Sequence, residues 1–425
     1  MGGGTAMGGG TAMGGGSATG GGTESDGGLR DGGSCGASYP SLPTTGTVSC
    51  APFNWIGDPF CDGGCTYSYA TGVAVDSTGS VYVSGVKSFN GAQPHAVLMV
   101  SSDQGTKWNT IDEPTDAIDP MKGAPQVTVD GCDNVFFTRG WPAQITTLSM
   151  PIRRRMASEA TFTGLTSTFP SAPLSNTNLA VGPDGRLFIS GTQGTSADAV
   201  TFMSDDHGAT WKAMTLGAAQ PTGSFVPLVT LVTSRGTVIS TGSLNPGSAQ
   251  SWWTYQFPES SAPVANGSSD GGHTIPSGGV AVAGGGVFVN TFDSTTPTTA
   301  PTPRWWLQKS DDEGSSYQGT RLRDDTESCT ATGMAATPFG VFALGNCGTQ
   351  PTAGHIHASP TGDGADWQEV KPADAGLATQ FVQGKSTQFH AVAGHSDGVL
   401  YVVGEASDEM GRRIAVVVTT TCTNP

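Results

Sequence analysis

The sequence is poor in charge. Only 13% of its 425 residues are Asp, Glu, Lys or Arg, and 19 basic residues face 35 acidic ones, a formal net charge of −16. A field of that sign repels nucleic acid and anionic membrane surfaces, which excludes both as partners. No run approaches the roughly 20 apolar residues that span a bilayer, so no transmembrane segment is expected. Cys-x-x-Cys pairs, which zinc and thioredoxin-like redox sites use, are missing; Cys61-Asp-Gly-Gly-Cys65 is one residue too long. Stretches with Ala, Leu, Glu and Lys at the helical period are scarce, while Val, Thr, Ser and 63 glycines dominate, which reads as all-β. No cofactor motif and no metal-ligand set emerges.

What is present is a repeated turn. Ser204-Asp-Asp-His-Gly-Ala-Thr-Trp211, read as Ser-x-Asp-x-Gly-x-Thr-Trp, contributes Ser204, Asp206, Gly208, Thr210 and Trp211. It returns as Ser101, Asp103, Gly105, Lys107 and Trp108, again as Ser310, Asp312, Gly314, Ser316 and Tyr317, and in a worn copy keeping Gly364 and Trp367. The Asp carboxylate can accept backbone N–H bonds inside such a turn, Gly supplies a positive φ, and the aromatic closes over it from the next strand. The motif resembles the Asp box, or BNR repeat, of the sialidase-like β-propellers. That resemblance implies a stabilising role for these carboxylates and none in catalysis.

In chain order, residues 1–46 form a Gly/Ser/Thr-rich tether, expected to be disordered, that opens on Met-Gly-Gly-Gly-Thr-Ala repeats. The start has neither basic residues nor an apolar core, so it is no signal peptide, but the repeated Met leaves room for an upstream segment. The layout resembles the Gly-rich spacers of bacterial surface lipoproteins. From 47 to 425 come seven pairs of β-runs whose second members begin at 81, 135, 187, 238, 287, 341 and 400. A period near 50 made of short strands predicts a single seven-bladed propeller of four-stranded blades, A to D from axis to rim. The motif turns then join strands C and D. Arg413-Ile-Ala-Val-Val-Val is strand C of blade 7, and Thr47 to Ile56 is expected to supply its strand D, closing the ring.

The eight cysteines suit disulfides in an oxidising compartment. On this ladder Cys50 faces Cys422 across the seam, and Cys329 faces Cys347 at neighbouring ends of one hairpin. Elimination pairs Cys61 with Cys65 and leaves Cys35 for Cys132.

Chemistry is harder to read. Sialidases of the resembled superfamily use three arginines, a Tyr nucleophile paired with Glu, an Asp acid/base and an Arg-Ile-Pro motif. Here Arg-Ile-Pro is absent, the nearest string being Pro151-Ile-Arg-Arg-Arg155, and the nearest Tyr–Glu pair is Tyr255 with Glu259. The loop acids Asp112, Asp116, Asp119, Asp324, Asp325 and Glu327 read as solvated, His355 and His357 as an exposed strand face, His207 as a solvent-facing turn residue, and His95 as isolated. Binding candidates on the face of B-to-C and D-to-A loops are Arg139, Trp141, Trp305 and His273, with Trp305 and Trp306 alternating between core and surface. The expected function is a secreted or surface-bound, monomeric module that binds a glycan or protein. The alternative is a glycoside hydrolase, sialidase-like or glucan-cleaving; a role as an assembly factor has no motif for or against it.

Overall fold

A computed structural model describes residues 35–424 apart from 62–64, 90–91, 115–116, 119–123, 140–151, 166–173, 194–197, 215–224, 245–250, 259–263, 268–273, 294–303, 324–327, 349–352, 365, 371–385 and 408–410. Seven four-stranded antiparallel sheets follow one another along the chain, and a single 3₁₀ turn, Ala283–Gly285, is the only helix among the described residues. The innermost strands are Tyr67–Val75, Gln126–Val129, Leu174–Val181, Phe225–Val232, Thr274–Ala281, Cys329–Thr337 and Thr387–Gly394. Each touches the next, and the seventh touches the first, so the blades form a closed ring. The fold is the expected seven-bladed propeller.

Ring closure uses borrowed strand. Ser49–Cys50 and Asn54–Gly57 both pair with Arg413–Thr423, the third strand of blade 7, in the registers Cys50↔Cys422 and Asn54↔Thr419. The disulfide Cys50–Cys422 fixes this seam. Across it, buried Ser68 of blade 1 accepts the Ala415 N–H of blade 7 at 2.9 Å and donates to Asp58 Oδ2 at 2.9 Å. The remaining bridges are Cys329–Cys347, Cys61–Cys65 and Cys35–Cys132.

Residues 35–46, placed by the sequence in the tether, instead belong to the compact unit, which begins at Ser34. The reason is specific attachment to the A-to-B turns. Cys35 is bonded to Cys132, Ala37 N–H donates to Gly182 C=O at 2.8 Å, Ala283 N–H donates to Pro40 C=O at 3.0 Å, and Leu42 packs into the core between blades 5 and 6. The earlier part of the expected tether lies outside the described residues.

The motif turns are built as the residue types require. Ser101, Ser204 and Ser310 Oγ accept the N–H of Gly105, Gly208 and Gly314 at 2.7–2.8 Å. Asp103, Asp206 and Asp312 Oδ1 accept the N–H of Lys107, Thr210 and Ser316, each at 2.8 Å. Two consecutive left-handed residues make each turn: Gln104, His207 and Glu313 at φ 53–58°, then the glycines at 85–90°. The glycine is also needed for space, since a Cβ on Gly105 would lie 2.6 Å from Ile56 of the neighbouring blade. Trp211 closes its turn through Nε1–H to Gly208 C=O at 3.1 Å. His207 is only partly exposed, with Nδ1 4.0 Å from Asp130 of blade 2. In the worn fourth copy the positive φ belongs to Gly362, whose N–H reaches Ser359 Oγ at 2.8 Å; the turn is one residue shorter, and Gly364 is not its pivot.

Candidate functional site

The six longer innermost strands share one irregularity, a bulge a few residues after their start. The extra residue is Thr71 in blade 1, Leu228 in blade 4, Ser277 in blade 5 and His390 in blade 7. A bulge re-aims one side chain out of the alternation that otherwise buries it between blades. In blade 7 that side chain is an imidazole.

His390 borders a pocket of about 590 Å³ between blades 7 and 1, on the face formed by the B-to-C and D-to-A loops. Its other walls are Tyr67, Tyr69, Gln388, Glu405, Arg412 and Arg413. Tyr69 and Gln388 each stand two residues before their bulge residue, and Arg412 and Arg413 lead into the seam strand. The pocket therefore depends on ring closure, because its walls come from both ends of the chain.

His390 Nδ1 lies 2.8 Å from Ala70 C=O of blade 1. A carbonyl only accepts, so Nδ1 carries the hydrogen, and the neutral form of the ring has its lone pair on Nε2. The Tyr69 ring meets the imidazole edge-on with centroids 6.2 Å apart, and Tyr67 stacks parallel to Tyr69 at the same separation. Burial pushes the Tyr67 phenol above its ordinary range, with the Arg413 guanidinium pulling the other way, so the hydroxyl keeps its proton at neutral pH. Glu405 is buried and lies 3.5 Å from Nη1 of the exposed Arg413. The result is a cationic rim, an imidazole held in one tautomer, and two phenols.

The residues singled out from sequence fall elsewhere. Trp305 is a correction: it is fully buried, its Nε1–H donates to Asn290 Oδ1 at 2.5 Å, and it fills the core between blades 5 and 6. It cannot touch a ligand at this face. Alternation on strand C selects which of Trp305 and Trp306 is core, and it selects Trp305. Arg139 sits with Arg153 around Asp112, whose carboxyl is pushed up by burial against the pull of both guanidinium groups. Asp112 is therefore not the solvated loop acid expected. Trp141 and His273 lie outside the described residues, as do Asp116, Asp119, Asp324, Asp325, Glu327 and Glu259.

Tyr255 is buried against Phe225 at 4.6 Å, which removes it as a nucleophile. His357 is buried, its ring 4.9 Å from Trp305, and His355 Nδ1 lies 2.9 Å from Arg323 Nη1, both partners belonging to blade 5, so this strand face is covered by the neighbouring blade rather than exposed. His95 is not isolated; its Nε2 lies 3.0 Å from Glu113. Among the described residues no group of three or more His, Cys, Asp or Glu side chains is arranged to hold a metal ion.

Sequence reasoning passed over the pocket because its residues carry no motif. The available signal was an alignment of the blades on their inner strands. It places His390 at the position of Thr71, Leu228 and Ser277, the one titratable group among them.

No protein-family model and no curated protein matches this sequence. Among solved structures, the chain is similar to the polysaccharide lyase Uly1, with a TM-score of 0.58 and 11% identity over 83% of this chain and 90% of that one. It is also similar to an ulvan lyase from a new family of polysaccharide lyase (0.54, 10% identity, 87% and 95% coverage). A protein of unknown function from Dyadobacter fermentans follows (0.51, 12% identity, 88% and 99% coverage). The likeness is one of fold.

Proposed function

We propose that this protein acts on a polysaccharide containing uronate residues, bound at the pocket between blades 7 and 1, and that it cleaves the chain by β-elimination. The observation that carries this reading is the meeting of His390, Tyr67, Tyr69, Arg412 and Arg413 in one open pocket. The chemistry fits in detail. An arginine paired with the uronate carboxylate makes the proton on the adjacent ring carbon, C5, more acidic. His390 Nε2 takes that proton, the C4–O glycosidic bond breaks with its electron pair on oxygen, and a tyrosine hydroxyl protonates the departing oxygen. The product chain gains a C4–C5 double bond.

Hydrolysis by a carboxylate pair suits the site less well, since Glu405 is the single carboxylate among the described lining residues. The fold-level likeness to polysaccharide lyases supports a carbohydrate ligand by analogy. We read the Ser-x-Asp-x-Gly turns as degenerate Asp boxes on the same footing. The four disulfides support an extracellular setting, and the Gly/Ser/Thr-rich composition of residues 1–34 suits a tether to a surface.

The test is incubation with polygalacturonate, alginate and ulvan while following the ultraviolet absorbance of the unsaturated uronate. Absorbance should rise on at least one. A flat trace on all three, with retention of one of them in affinity electrophoresis, would reduce the site to a binding module.

A further inference from the structure

The pocket accounts for the mouth of the ring but not for Phe89, one of two large hydrophobic side chains left exposed among the described residues, at 37%. Phe89 follows directly on the second strand of blade 1, Val81–Ser88. The strand register places it beside the pocket: Ser88 pairs with Tyr67, and Lys87 pairs with His95. Along this edge of the blade, from axis to rim, the order is thus Tyr67, then Phe89, then His95.

The ring is held rather than loose. Ala92 N–H donates to Phe89 C=O at 2.8 Å, and Ser88 Oγ–H donates to Ala92 C=O at 2.7 Å. Its position beside His95 (centroids 6.3 Å apart, planes at 27°) and Lys87 Nζ (5.3 Å from the ring centroid) is fixed in turn by Glu113, which takes Lys87 at 2.7 Å and His95 at 3.0 Å. Lys87 is 7% exposed, so this is a built support and not a chance surface pairing. With Lys87 over the ring, His95 stacked on it and Glu113 holding both, the uncovered part of Phe89 is a rigid apolar platform that matches the C–H face of a pyranose.

We infer that Phe89 is the platform of an outer sugar subsite, and that the polysaccharide runs radially from the pocket across the edge of blade 1. The inference rests on the proposed polysaccharide function. It predicts that Phe89 matters for a polymer and not for a fragment that fills the pocket alone.

Affinity electrophoresis through gels containing polygalacturonate, alginate or ulvan tests it, with wild type, Phe89→Ala, Phe89→Trp and His390→Ala run side by side. Wild type and Phe89→Trp should be retarded by the same polymer. Phe89→Ala should bind that polymer about tenfold more weakly, the size of one aromatic stacking contact, at an unchanged melting temperature. Competition by a trisaccharide of that polymer should displace wild type and Phe89→Ala equally from whatever polymer binding each retains. Retardation of wild type and Phe89→Ala alike would overturn the platform and leave the pocket reading standing. Absence of wild-type retardation and of eliminated product on all three polymers would overturn both.

Discussion

The turn at Ser204–Trp211 and the pocket at Tyr67–Arg413 are opposite solutions to the use of a repeat. The turn is the same object in blades 1, 3 and 5, down to hydrogen bonds of 2.7–2.8 Å, and each copy packs on the preceding blade. Arg154 of blade 2, for example, donates to the carbonyl oxygens of Asp206 and His207 in the turn of blade 3. The pocket is made once, where two blades meet across the chain's ends, from residues that break the pattern of the other blades. Repetition marks how the blades that carry the turn pack on their neighbours. Departure from it marks the pocket that we propose takes the ligand.

That contrast can be broken from either side. Replacing Cys50 and Cys422 by Ser opens a loop of 372 residues and should lower unfolding stability by about 6 kcal/mol in the chain-entropy view. Denaturant titration of the pair of substitutions reads this directly, and an unchanged midpoint would mean that hydrogen bonding alone holds the seam. His390→Ala should do the converse, leaving the midpoint in place while eliminated product falls by about 10²–10⁴-fold, the usual worth of a positioned base. Equal losses of stability and turnover would place His390 in the scaffold.

Asp206→Ala removes the acceptor of the Thr210 backbone and side-chain bonds and should cost about 1 kcal/mol, water replacing part of what is lost at this exposed site, with polysaccharide binding unaffected. The smallest effect is in acid. For Asp206 and Asp312, hydrogen bonds from Thr210 and Ser316 outweigh the upward push of burial and hold the carboxyls below their ordinary range. Their contribution is therefore complete above the unfolded carboxylate pKa and is lost as pH falls through the lower folded value. Asp206→Ala should flatten that part of the stability-against-pH curve, and an identical acid limb in wild type and variant would contradict the assignment.

The propeller was legible because its signals are local and repeated. Period-2 runs recur in all seven blades and full Ser-x-Asp-x-Gly turns in three, so the wear of any one copy is averaged out. The pocket was not legible, because Tyr67, His390, Glu405 and Arg413 are brought together by ring closure across more than 300 residues. Trp305 shows the opposite error. A tryptophan beside a loop suggests a ligand contact, yet strand alternation and Asn290 draw it into the core.

Joining Cys50 to Cys422 turns the blades into a covalent circle. A single backbone cut in any loop between those residues would leave the two pieces joined and release no fragment. Blade order then becomes a property of the gene and not of the folded molecule. A circular permutant with its termini moved to the far side of the disc would write Arg413, Glu405 and His390 just ahead of Tyr67, turning a site assembled by closure into one continuous stretch of sequence.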